Sequence, residues 1–135
     1  MLGEINTTLR TELEAARSSF TAHALTVVYD NRPLDTTNQT LPHLAVTIRL
    51  IDGERASIYS QVEHLVIGEL RLVAKVKKGE GSYKCNAILD HFYPRLQCRT
   101  VSRIHLQGAS FEGPSEDQGW YTVTAIIPFR TIKTY

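Results

Sequence analysis

Asp90-His91 is the first place in this chain where the residue types invite chemistry, since a carboxylate beside an imidazole has the composition of an acid–base pair. On a helix, however, adjacent positions point about 100° apart, so the two cannot pass a proton directly and read as polar neighbours of a buried face. The other histidines, His23, His43, His64 and His105, fall in or near strands, and none stands at a helical metal spacing such as His-x-x-x-His. No metal site is expected from them. Cys85 and Cys98 match none of the usual metal or redox spacings and are expected to be small buried apolar side chains with free thiols. Lys77-Lys78-Gly79-Glu80-Gly81-Ser82 sets glycines before a helix start, where backbone amides can receive an anion. It lacks the Gly-Lys-Ser/Thr ending that reaches phosphate and magnesium, so a capped turn is the expectation. There is no Gly-x-Ser-x-Gly elbow, and neither cysteine has a histidine partner in sequence. The residues thus predict no catalytic group, no cofactor and no metal.

Charge is what remains, and it is unevenly spread. Between Arg71 and Lys84 stand Arg71, Lys75, Lys77, Lys78 and Lys84 against Glu80, whereas the stretch from Phe111 to Trp120 carries Glu112, Glu116 and Asp117 with no base. If the two patches lie on opposite flanks of the domain, they join identical copies head to tail, a geometry that closes into a ring when the rotation permits. Arg71, Lys75, Lys77, Lys78, Glu112, Glu116 and Asp117 are therefore the candidate subunit-interface residues.

The elements that must position these residues follow from length and pattern. A chain of 135 residues suits one domain spanning 1–135. Its net charge of +1 indicates neither a basic nucleic-acid-coating protein nor an acidic disordered chain, so no nucleic-acid specificity is expected. No apolar run reaches the length of a membrane span, and the first residues lack the basic start and apolar stretch of a secretory signal. A reducing cytoplasm, with free thiols, is the expected setting.

Leu2, Ile5, Leu9, Leu13, Ala16 and Phe20 recur at spacings of three and four, which predicts an amphipathic helix over the first twenty residues. Leu25–Tyr29 is a short strand stopped by Asp30-Asn31-Arg32-Pro33, and Leu34–Leu41 is a polar loop. Leu44, Val46, Ile48 and Leu50 alternate onto one face of a second strand, which Asp52-Gly53-Glu54-Arg55 is expected to turn. The state of Ile58–Gln61 is left open. A long extended run covers Val62–Lys77, with Gly68 as the site of a bulge or bend. Cys85, Ile88, Leu89 and Phe92 predict a helix from about Tyr83 to Tyr93, ended by Pro94. Uneven alternation over Cys98–Phe111, a turn over Glu112–Gly119 and a strand over Trp120–Phe129 complete the chain, with Pro128 expected to place that strand's end at an edge or to fray it. The expected class is α+β: a mainly antiparallel sheet with two helices packed on one face, the other face being exposed or used to meet a partner.

Several of these pieces, taken in order, carry a family likeness. They are the amphipathic first helix; Tyr29-Asp30-Asn31-Arg32-Pro33; Leu41-Pro42-His43-Leu44-Ala45-Val46; Gly68-Glu69-Leu70-Arg71-Leu72-Val73-Ala74-Lys75-Val76; and Gly79-Glu80-Gly81 before a helix ending at Phe92. The most specific is Gln118-Gly119-Trp120-Tyr121 running by alternation into Pro128-Phe129. Over nearly its whole length the chain resembles the tail terminator proteins of long-tailed bacteriophages. The stretch Lys77–Ser82 departs from that pattern, with lysines and a glutamate where small residues are commoner. The resemblance implies a non-enzymatic virion protein, assembled in the host bacterial cytoplasm. It would form a ring, six-fold in that family, on the finished tail tube. There it ends polymerisation and meets the head-completion proteins at the neck. Its implied partners are copies of itself, the tail tube protein and a head-completion protein. A head-completion or neck connector protein is the alternative of similar size and habit. A small cytoplasmic hydrolase or nucleotide-binding protein is a third reading, which requires His91, His64 or His105 beside a carboxylate or thiol. The polar stretches Asn31–Pro42 and Asp52–Gln61 are candidates for ordering on tube or neck proteins.

Overall fold

The computed structural model describes residues 2–21, 25–29, 42–55, 63–77, 83–117 and 119–134. The first helix, α1, spans Leu2–Ser18 and buries the predicted stripe of Ile5, Leu9, Leu13 and Ala16. Glu4 in its first turn and Arg17 in its last complement the helix dipole. Strands β1 (Thr26–Tyr29), β2 (His43–Arg55) and β3 (Glu63–Lys77) follow, and then α2 (Tyr83–Leu96). The chain ends with β4 (Arg99–Val101), β5 (Ile104–Leu106), β6 (Ser110–Asp117) and β7 (Trp120–Thr134). All the strands join one sheet in the order β1-β2-β3-β7-β5-β4, with β6 pairing the first half of β7. The β1–β2 pair is parallel and the others are antiparallel, so the α+β class stands with a mixed sheet.

Residues directly opposite one another in a ladder share a face, and the register therefore sorts every strand. One row runs Tyr29, Val46, Leu72, Ala125, Phe111 across β1, β2, β3, β7 and β6. Its neighbour runs Ile48, Leu70, Ile127. The helices cover this face: Cys85, Ile88, Leu89, Phe92 and Leu96 of α2 join Leu9 and Leu13 of α1 and the strand residues in a single core cluster. At the rim of that core, the rings of Tyr93 and Phe111 meet edge to face, 5.1 Å apart.

Gly68 is required for close approach rather than for an unusual backbone angle. A Cβ there would sit 2.6 Å from the Arg49 carbonyl oxygen and 2.6 Å from Cζ of Phe129. The expected bulge lies on the partner strand: the register slips between Leu50 and Asp52, opposite Gly68, leaving Ile51 as the extra residue.

The structure corrects the sequence reading in several places. Asp52–Arg55 does not turn; past the bulge β2 continues to pair with β3 as far as Arg55 opposite His64, because a backbone ladder tolerates polar side chains. Glu112–Asp117 is likewise strand β6, not a turn, paired to Trp120–Thr124 through a second register shift. Helix α2 runs through Pro94 to Leu96. Proline forfeits one intrahelical bond, but the Gln97 N–H still bonds the Tyr93 carbonyl at 2.9 Å and buried Leu96 anchors the last turn. Arg99 satisfies a terminal carbonyl, its Nη1 donating to the Arg95 oxygen at 2.7 Å.

Pro128 lies inside β7, opposite Glu69 of β3, and not at an edge. Its carbonyl accepts from Gln107 N–H at 2.8 Å, and an antiparallel residue turns N and C=O to the same side. The missing N–H therefore faces the gap where Gly108 and Ala109 pass between β5 and β6, and the β3–β7 ladder loses nothing. Cys85 is buried as expected, whereas Cys98 is exposed on the turn after α2 with φ 54°; both are free thiols. Ile58–Gln61 and the stretch Asn31–Leu41 lie outside the described residues.

Candidate interaction surface

The second face of the sheet belongs to neither helix. Its central row is Val28, Ala45, Val73, Thr124, Glu112, and the next is Thr47, Arg71, Ile126, Ser110. Ala45, Val73, Thr124 and Ile126 are half-buried and stand outside the core cluster. Beyond them Arg49 lies opposite Glu69, and Arg130 lies opposite Ile67 and His105. At the other end Lys75 is level with His43 and Thr122, and Lys77 with Trp120.

The charged side chains are linked across strands. Glu69, 16% exposed, lies 3.9 Å from Arg49 and 3.4 Å from Arg71, and Arg71 reaches over β7 to Glu112 at 3.3 Å. Such pairs, still partly open to solvent, contribute little to stability and chiefly hold Arg71 in one geometry. Lys77 places its ammonium 4.9 Å from the Trp120 ring centroid, and that ring meets His43 edge to face at 4.7 Å. Trp120, Thr122 and His43 are buried at this end of the face.

The register answers the question of flanks. Arg71, Lys75 and Lys77 on β3, and Glu112 on β6, occupy one face of one sheet, a single strand apart, and Arg71 already pairs with Glu112 within the chain. Arg71, Lys75, Lys77 and Glu112 are therefore not on opposite sides of the domain. Glu116 is exposed opposite Tyr121, and Asp117 ends β6 opposite Trp120. Lys78 lies outside the described residues. Arg49 and Arg130, which enlarge the basic part of the face, were not singled out by the sequence reading, because each stands alone in sequence and joins the others through strand pairing.

The groups considered for chemistry are used structurally. His91 Nε2 lies 2.7 Å from the Ala16 carbonyl, which can only accept, so that nitrogen carries the proton. It also lies 3.1 Å from Ser19 Oγ, and its ring meets Phe20 edge to face. His91 thus ties α2 to the C-terminal turn of α1, while Asp90 is exposed. His105 Nδ1 lies 2.9 Å from Thr100 Oγ1 in the β4–β5 hairpin. Neither meets a carboxylate or thiol among the described contacts, and the side chain of His64 lies outside them. Edge strand β1 is held to α1 by Tyr29, whose hydroxyl donates to Glu14 Oε1 at 2.6 Å under the guanidinium of Arg10. That bond lowers the Glu14 carboxyl below its ordinary range, and burial together with the same bond raises the Tyr29 phenol.

A hollow of about 470 Å³ lies between the helix ends, lined by Glu12, Ala15, Pro94, Arg95, Cys98 and Arg99. Glu12 and Arg99 are paired across it at 3.4 Å. Among the described residues no cluster of His, Cys, Asp or Glu suits a metal, and no helix is long and apolar enough to cross a membrane.

Burial pushes the Cys85 thiol up to about 11. A raised folded value means the stabilisation is complete below the unfolded value near 9 and is lost as pH climbs through about 11. Thermal unfolding of the wild type is expected to drop more steeply across that window than that of Cys85→Ala. Parallel curves would contradict the assignment. In the same vein, an alkylating reagent at pH 8 should label exposed Cys98 in the native protein and Cys85 only after unfolding.

Comparison with known proteins adds to the fold alone. No family profile matches the chain, nor does any curated protein. Among solved structures nineteen chains match. One of them, whose name states no function, aligns with a TM-score of 0.68 over 100% of this chain and 97% of its own, at 14% identity. At that identity the likeness speaks for a shared architecture over the full length and for nothing beyond it.

Proposed function

We propose that this chain is a phage structural protein that caps the tail tube, ends its polymerisation and forms the tail side of the head–tail junction as a ring. The observation that carries the reading is where the family-like segments fall. His43–Val46 opens β2, Gly68–Val76 fills β3 and Trp120–Phe129 makes most of β7, so the segments lie side by side as the centre of one sheet. Both helices cover one face of that sheet, and the other presents half-buried apolar residues among ordered charges. Such a surface suits a modest, specific contact made after folding, in which charge sets recognition more than affinity. Ring formation, six-fold as in the family resembled, rests on that resemblance and not on the pairing of the two charged patches.

Particles made without the protein test the reading by electron microscopy. Overlong tails are the expected result. Finished tails of ordinary length lying apart from their heads would overturn it in favour of the head-completion connector.

A further inference from the structure

We propose that identical copies of this chain join head to tail, with Phe111 at the β6 flank of one copy seated against Leu50 and Ile51 at the β2 flank of the next. The inference rests on the ring reading above and deepens it by naming the two surfaces that meet.

A head-to-tail ring needs two different contact sites on each subunit, set on opposite flanks. Arg71 and Glu112 do not supply them, since they pair within the chain. Exposed apolar side chains do. Leu50 is 40% exposed, Ile51 58% and Phe111 53%; Tyr83, which opens α2, is the other large hydrophobic residue exposed among the described residues. Leu50 stands opposite Gly68 of β3, in the row that continues to Phe129, and Phe111 stands opposite Ala125, so both belong to the helix-covered side of the sheet. They occupy its two margins. Strands β3 and β7 separate β2 from β6, three strand spacings or about 14 Å, and Leu50 lies four residues, about 13 Å, along β2 from the level of Phe111. The two sites cannot meet within one chain.

Local structure fits each site for contact. The Tyr93 ring holds Phe111 edge to face at 5.1 Å and leaves about half of a fixed aromatic surface open, the kind of side chain that anchors an interface. Among the described residues β1 accompanies β2 only from His43 to Val46, and the bulge beyond it makes Ile51 the extra residue. Two consecutive aliphatic side chains are thus exposed where a strand at a sheet's margin ordinarily carries charge. Arg49 beside Leu50, and Ser110 and Glu112 beside Phe111, are exposed polar residues suited to the rim of such a contact. A second copy covers both sites with one repeated contact. A foreign protein covers one of them and leaves the other in water.

Sedimentation of the whole chain over a range of concentrations is the test. The wild type should associate as concentration rises. Ile51→Lys and Phe111→Lys, each changing an exposed side chain, should each weaken self-association by about tenfold or more. An equimolar mixture of the two should form a one-to-one dimer and go no further, because each variant keeps the surface that the other has lost. Tyr83→Lys should associate as the wild type does. The proposal is overturned by wild type that stays monomeric at every concentration, by variants that associate as the wild type does, or by a mixture that remains monomeric. Loss of association in Tyr83→Lys as complete as in the other two overturns it as well, since the association is then unspecific. Overlong tails in particles lacking the protein, beside any of these results, keep the terminator reading and remove this contact. The mixed dimer beside tails of ordinary length keeps the contact and removes that reading.

Discussion

Gly68→Ala is expected to cost about 3 kcal/mol of stability, a large effect for a single methyl group. The position is hemmed by two different kinds of neighbour. The Arg49 carbonyl, 2.6 Å from where the Cβ must go, belongs to the backbone of β2 next to the bulge. It can withdraw only by disturbing the ladder on both sides. The Phe129 ring, equally close, is 1% exposed and has no empty space to enter. Phe129→Leu removes the second clash but not the first, so the double variant should regain only part of the loss. Urea unfolding with an unchanged m-value provides the measurement. A loss below about 0.5 kcal/mol, the range of ordinary surface substitutions, would show that β2 and β3 do not approach as described.

The second large effect is expected at Phe92, where truncation to alanine should cost about 3–5 kcal/mol. The side chain is completely buried and lies where α1, α2 and the sheet converge. Its ring packs against Phe20 just beyond the end of α1, at 6.3 Å, and Phe20 in turn meets His91, which bonds the Ala16 carbonyl. Removing Phe92 therefore opens a cavity and loosens the tie between the helices at the same place. Phe92→Leu, which keeps most of the volume, should cost clearly less. Equal costs for the two variants would mean that the site collapses around the gap. In that case helix docking would not depend on this ring.

What the residues disclosed in advance was what local pattern can encode. Leu44-Val46-Ile48 and Leu70-Leu72-Ala74 alternate strictly, and Ile5-Leu9-Leu13-Ala16 repeat at helical spacing, so β2, β3 and α1 were legible along with the buried side of each. Strand β6 was not, because Glu112-Gly113-Pro114-Ser115-Glu116-Asp117 has the composition of a turn. Its extended form is imposed by hydrogen bonding to β7. The same distinction explains Pro128. Proline argues for an edge from sequence alone, and only the position of the β5–β6 gap reveals a central strand with no donor required on that side.

The candidate surface divides in the same way. Lys75 and Lys77 lie two residues apart on one strand, so their common face follows from alternation. Arg71 with Glu112, by contrast, are 41 positions apart and meet only through the β3–β7–β6 register. The uneven charge along the chain was real. Its meaning changed once Arg71 and Glu112 proved to lie on one face and to pair within the chain.

Growth of the tail tube itself offers the most direct test. Tube protein polymerising in solution should yield progressively shorter tubes as purified chain is added, with added density across one end in electron micrographs. A length distribution that stays the same at every concentration, with both ends bare, would contradict the account.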